Sequence, residues 1–177
     1  AHSVEKTEKL CRTYHLNGCF FDYREFLGAD IDTVYIAIPN HLHYEFAREA
    51  LLHHKHVIVE KPITVTSAQL EDLILLAREQ KCILAEAMSL HYTPACRSIA
   101  EKLPLLGEIR LVSFQFCQYS SRYDAFCEGR IAPAFDPKCA GGALMDLNIY
   151  NLHAILGLFG KPLSARYFAN VERGIDT

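Results

Sequence analysis

The sequence predicts an α/β protein in two parts: a small parallel sheet packed with helices, then the start of an α+β unit built on a more open sheet. Three observations point there. Short apolar runs alternate with helix-period segments throughout the first half. Those runs are continuous rather than alternating, as in strands covered on both faces. After about residue 90 the texture changes to a longer, partly alternating stretch, which divides the chain into 1–89 and 90–177.

The elements follow in order. Residues 4–15 are predicted to form a helix capped by Ser3, with Val4, Leu10 and Tyr14 available for packing. Residues 23–27 form a short helix before a turn at Gly28. The β-branched and aromatic run 33–38 forms a strand, ended by Pro39-Asn40. Residues 42–53 form a helix through Leu42, Phe46, Ala47, Ala50 and Leu51, and 56–59 a second buried strand. Residues 66–80 form a helix with Leu70, Leu73, Ile74 and Ala77 on one side, and 82–85 a third strand. Beyond it, 92–103 is helical, 108–119 a longer strand and 120–140 a loop. Gly141-Gly142 leads into a helix over 143–159 closed by Gly160, and a further strand begins over 165–171.

Bulk properties bound the function. With 50% hydrophobic and 22% charged residues in 177, the chain has globular composition and enough length for a sizeable core. A formal net charge of −3 and the lack of a basic run speak against nucleic acid as a partner. No apolar stretch reaches the roughly 18 residues needed to span a bilayer. Seven cysteines, an odd number without CxxC spacing, argue against a zinc ribbon or a disulfide framework. Reduced thiols in a cytoplasmic protein are the plain reading, several of them, such as Cys82, acting as small buried apolar residues.

Three constellations carry possible chemistry. Glu60-Lys61-Pro62 directly follows a short buried strand. In a parallel sheet ligands gather beyond the carboxyl ends of the strands, which also places Pro39-Asn40 at the crevice. Partial burial disfavours a lysine's charge and suits such a group to proton transfer, and a cis X-Pro bond would aim it in an unusual direction. Taken alone, the element also reads as a solvated strand-end lysine. In the helix after Gly141-Gly142, Asp146, Tyr150 and His153 are spaced to share one face. Polar groups there need partners or a cleft, so the face is either a site or a buried polar ladder. The glycine pair permits close approach of another backbone. His41 and His43 form an HxH pair, but at a helix start they point apart and no further ligand completes a set. No metal is expected, and an HxH metallohydrolase is the minor alternative.

These pieces occur together, in this order and at these intervals, in one family. Residues 33–43 with their PNHLH ending, 56–62 with EKP, and 141–150 with GGALMDLNIY resemble the glucose-fructose oxidoreductase / inositol dehydrogenase / rhizopine catabolism family over essentially the whole chain. The resemblance implies a Rossmann domain followed by a domain with an open, mostly antiparallel sheet. It implies NAD or NADP as cofactor, a sugar, polyol or related alcohol as substrate, and a homo-oligomer. By motif match, Lys61 contacts the reacting hydroxyl and the nicotinamide ribose, Asp146 orients substrate, and Tyr150 stands at the catalytic position, where many members carry histidine. Pro39, Asn40, His43 and Glu60 line the nicotinamide half of the cofactor site, and Ser3 is a weak pointer to the choice between NAD and NADP. His153 is left without a role; Tyr119, Arg122 and His91 are unranked substrate-facing residues. Members begin with a strand, a GxGxxG turn, a helix and a second strand, and the match enters just after that unit. The chain is therefore expected to be incomplete at both ends and inactive by itself, with a non-catalytic dinucleotide- or partner-binding protein as the alternative.

Overall fold

A computed structural model describes residues 3–177; Ala1 and His2 lie outside the described residues. Seven α-helices of five or more residues and two small sheets are described. The first helix, α1 (Val4–Thr13), is capped by the Ser3 side chain, which accepts from the Lys6 amide at 3.3 Å. A short α2 (Tyr23–Leu27) follows, capped by Asp22.

The parallel sheet contains β1 (Thr33–Ile36), β2 (His56–Val59) and β3 (Leu84–Glu86) in the order β1-β2-β3. Its register sets Ile36 level with Val59 and Val59 level with Glu86, so the three carboxyl ends open onto one rim. Helices α3 (His43–Leu52) and α4 (Ser67–Glu79) connect the strands. Thr66 and Gln69 close a reciprocal capping box at the start of α4, which defines that end sharply. The core forms where Val34, Ile36, Val57 and Val59 meet Ala47, Ala50 and Leu51 of α3 and Leu73, Leu76 and Ala77 of α4. Each such buried branched side chain contributes roughly 1.5–3 kcal/mol.

Several expectations change. The strands do not read as covered on both faces: β1 alternates exposed and buried, and Tyr35 is 55% exposed. The reason is that α3 and α4 pack on the same face of the sheet. The third strand starts later than 82, because the chain leaves α4 through a left-handed Lys81 (φ 55°) and Cys82 donates back to Ala77 before pairing begins. Cys82 is only half-buried at the core's margin, and among the described residues no cysteine is buried.

In the second half, α5 (Pro94–Lys102) matches its predicted helix, shortened by Pro94 at its first turn and Thr93 as cap. Residues 108–119 form no β-ladder, and Leu111 is 87% exposed. A strand exists only through a hydrogen-bonding partner, and none of the described residues aligns with this segment. The strand predicted over 165–171 contracts to β4 (Val171–Glu172), paired antiparallel with β5 (Ile175–Asp176). Arg173 and Gly174 both have positive φ (51° and 77°), the geometry of a tight two-residue hairpin. The predicted 120–140 loop contains α6 (Tyr123–Cys127), whose buried Phe126 packs with Tyr123 and Phe135.

The last helix begins as a π-helical turn over Leu144–Asn148 and continues as α7 (Ile149–Phe159). The glycine pair before it does what small residues allow. A Cβ on Gly141 would sit 2.5 Å from the Pro133 carbonyl oxygen, and Gly142 adopts φ +111°. Among the described residues no helix is long and apolar enough to cross a membrane.

Candidate active site

The rim formed by the carboxyl ends of β1 and β2 faces the π turn that leads into α7, and one ion pair joins them. Lys61 is the second residue after β2, and its bond to Pro62 is cis. Its Nζ donates to Asp146 Oδ1 and to the Asp146 backbone oxygen, each at 2.7 Å. The lysine side chain is 16% exposed and the aspartate 39%, so the pair is shielded on one side and open to a ligand on the other. The same Nζ lies 5.2 Å from the centroid of the Tyr150 ring, and Phe116 stacks on that ring at 4.8 Å. Tyr150 is thus held through its ring; among the described residues its hydroxyl takes no hydrogen bond. Lys61 meets Asp146, 85 residues further on, and Tyr150 beyond it, the grouping expected from the sequence.

Asp146, Tyr150 and His153 would share one face in a regular α-helix. Asp146 lies in the π turn and Tyr150 in the first turn of α7, so the spacing between them is that of a locally widened helix. Such wide turns recur at functional sites because they re-aim side chains.

The remaining predicted residues are distributed around this centre. Pro39 opens the turn after β1, and the Asn40 Nδ2 donates to the Ala140 carbonyl at 2.9 Å, tying the β1 rim to the approach of the glycine pair. Glu60 accepts a short hydrogen bond from the Tyr35 hydroxyl and a longer one from the Lys61 amide at 3.2 Å. That bond raises the Tyr35 phenol above its ordinary range. His43 is fully buried, its two ring nitrogens each 2.8 Å from a carbonyl oxygen, those of Pro62 and Ile38. It locks the two strand-end turns together, and both nitrogens are occupied by backbone. His41 is exposed, so the HxH pair does point apart. Ser3 serves α1 and makes no described contact with the Lys61 centre. Among the described residues no group of three His, Cys, Asp or Glu is placed to hold a metal ion.

Beside Asp146 opens a cavity of about 350 Å³, lined by Tyr119, Arg122, Tyr123, Glu172 and Asp176 among others. Tyr119 and Arg122, unranked from sequence, belong here; His91 does not, pairing instead with His153. The Tyr123 hydroxyl donates to Glu172 at 2.9 Å, which, with Cys127, pushes its phenol up to about 12. Tyr119 donates to Asp124 at 2.8 Å and is raised for the same reason. Each hydroxyl hydrogen is thus committed to a carboxylate, that of Glu172 or of Asp124. Asp176 accepts from the Leu144 amide at 2.8 Å, fixing the π turn against the hairpin.

The donor set on the rim fits the nicotinamide half of a dinucleotide. A carboxylate (Glu60), an amide (Asn40) and an ammonium (Lys61) suit the hydroxyls of a ribose, and Pro39 offers an apolar edge to a ring. A phosphate would call for a cluster of backbone N–H donors, and this rim is made of side-chain groups.

Sequence reasoning missed Glu86, Phe116 and Asp176. Glu86 carried a usable signal, since it ends the third parallel strand as Glu60 follows the second. Phe116 and Asp176 carried none: Phe116 lies in a predicted strand that forms no ladder, and Asp176 lies past the predicted 165–171 strand, in the second arm of the hairpin.

A family model for Gfo/Idh/MocA oxidoreductases, with an NAD-binding Rossmann fold, matches residues 1–88. The chain is 36% identical over 179 residues to the scyllo-inositol 2-dehydrogenase (NADP(+)) IolU of Bacillus subtilis, covering 99% of this chain and 54% of that protein. It is similar to the 3-ketoreductase KijD10 of Actinomadura kijaniata solved with NADP and TDP-benzene, at TM-score 0.72 and 27% identity over 90% of this chain and 48% of that one. It also shares the fold of the myo-inositol 2-dehydrogenase of Lactobacillus plantarum, at TM-score 0.77 and 18% identity over 90% of this chain and 47% of that one. The chain spans about half the length of the curated relatives it matches.

Proposed function

Because the chain belongs to the Gfo/Idh/MocA family of NAD(P)-dependent oxidoreductases, we propose that the full protein transfers a hydride between NAD or NADP and a hydroxyl-bearing carbon of a sugar or polyol. The observation that carries this reading is the Lys61–Asp146 pair at 2.7 Å beside the Tyr150 ring, with Asp146 lining the cavity. When bound, the nicotinamide supplies the hydride acceptor or donor. The chain's own residues do the rest. Asp146, open on one side, accepts from substrate hydroxyls and orients the ring. Lys61 holds the reacting oxygen and balances the negative charge that develops as its proton leaves. Tyr150 gives its hydroxyl proton to the substrate oxygen in reduction and regains one from solvent; oxidation runs the same steps in reverse, the substrate's proton passing to the phenolate that has first released its own to solvent. Three cavity-side carboxylates, Asp146, Glu172 and Asp176, against one Arg122, favour an uncharged polyhydroxyl substrate over an anionic one.

The test is direct. The full-length protein should reduce NAD or NADP, read at 340 nm, with members of a panel of cyclitols, aldoses and ketoses. Tight binding of NADPH with no turnover across the panel would instead favour a non-catalytic dinucleotide-binding protein.

We also propose that residues 1–89 form the dinucleotide-binding part and 90–177 belong to a substrate-binding and self-associating part. The support is that the most fully exposed apolar side chains among the described residues, Leu105, Leu111, Leu163 and Phe168, all lie in the latter. Sedimentation of the full protein as a monomer would remove the homo-oligomer. The free cysteines favour a cytoplasmic setting.

A further inference from the structure

Glu86 ends β3 level with Val59, one step before the turn that carries Lys61. Its side chain is 16% exposed, and both carboxylate oxygens are engaged. Oε1 accepts from the Ile63 amide at 2.9 Å, two residues beyond Lys61 across the cis Lys61–Pro62 bond. Oε2 lies 3.1 Å from His153 Nε2. His153 sits on α7 three residues past Tyr150, and its other nitrogen lies 3.1 Å from His91 Nε2. The contacts close a circuit: the Lys61 turn to Glu86, Glu86 to His153, along α7 to Tyr150, through the π turn to Asp146, and back to Lys61 through the 2.7 Å ion pair.

We infer that Glu86 is a positioning residue, which clamps the Lys61 turn to the helix of Asp146 and Tyr150 through His153. The inference rests on the assignment of those three groups made above. The chemistry of the clamp is specific. An ionised carboxylate is acceptor-only, so it takes the Ile63 amide on one oxygen and an N–H from His153 on the other. That puts a proton on His153 Nε2, and the partner at Nδ1, His91, completes the second bond of the ring, as a third group often orients a working imidazole. Gly157 leaves room for this arrangement: a Cβ there would come within 3.2 Å of the His91 Cε1 atom. Lys61 and Asp146 are the charged groups on the other side of the circuit, and Arg97 lines the small cavity beside His91 and His153.

The experiment uses full-length Glu86→Gln, His153→Asn and Gly157→Ala, with two readouts. The first is kcat and KM per folded molecule, counted by NADPH binding. The second, independent of activity, is the rate at which acetic anhydride acetylates the Lys61 amine, followed by mass spectrometry. Loosening the clamp should lower kcat about tenfold or more in Glu86→Gln and His153→Asn, with KM for the polyol changed less than about threefold. It should raise Lys61 acetylation several-fold in both, with a smaller rise in Gly157→Ala. Should the parent protein turn over no sugar or polyol, the proposed activity fails, while the labelling rates still decide the clamp. If Lys61 is labelled at the parent rate in both Glu86→Gln and His153→Asn, Glu86 is merely a structural residue and the inference is overturned. Should one variant fail to fold, the other two decide by the same criterion.

Discussion

Full-length Lys61→Met is expected to lose turnover by at least ~10²-fold and to approach ~10³-fold, the range seen when a preorganised charge at a reacting oxygen is removed. Methionine has nearly the length and volume of the lysine stem, so packing against Pro62 and the Tyr150 ring survives while the ammonium does not. Two contacts to Asp146 disappear together, the carboxylate bond and the backbone bond, each 2.7 Å. The π turn then loses its tie to the β2 rim, and the substrate loses both a donor and a fixed carboxylate. The cost to folding is smaller, about 1 kcal/mol, because Asp146 is part-exposed and solvent takes up its charge. The measurement is kcat with the substrate identified in the panel, alongside cofactor binding and a thermal midpoint. Turnover within tenfold of the parent protein, with folding intact, would remove Lys61 from the reaction.

Tyr150→Phe isolates one atom. The ring keeps its stacking on Phe116 at 4.8 Å and its place beside Lys61, so fold and cavity shape should be unchanged. Only the hydroxyl that exchanges the substrate proton is gone. Turnover is expected to fall by about 10²-fold, the usual contribution of a positioned acid–base group, with KM little altered. A residual rate above the uncatalysed reaction should remain, since Lys61 and Asp146 still orient the substrate. Unchanged kcat would transfer the proton to another group and leave Tyr150 as a wall of the site.

Much of the architecture was legible in the chain because its signals are local. The 3.6-residue recurrence of Leu70, Leu73 and Ala77 marks α4 to within a residue at each end. The apolar run expected over 33–38 forms a strand over Thr33–Ile36, 56–59 is a strand where expected, and the glycine pair at 141–142 does permit a close backbone approach. Where a reading depended on what lies across from a segment, it changed. The alternation in 108–119 is a strand pattern without a ladder, since polarity alone supplies no partner. His43 matched a cofactor-lining motif, yet its nitrogens serve Pro62 and Ile38, a fact that depends on atoms from two separate turns.

The candidate site divides along the same line. Residue type, order and interval sufficed to select Lys61 and Asp146 and to place the lysine at a strand end, because a parallel strand leads its following turn to the sheet's rim. Their separation of 2.7 Å, the Phe116 ring against Tyr150, and the joining of Glu86 to His153 were settled only in three dimensions. Sequence periodicity reports how one element faces its own core. Contacts between groups 85 residues apart depend on the register of β1 to β3, the π turn ahead of α7 and the hairpin that braces it, and those arise only when separate elements pack together.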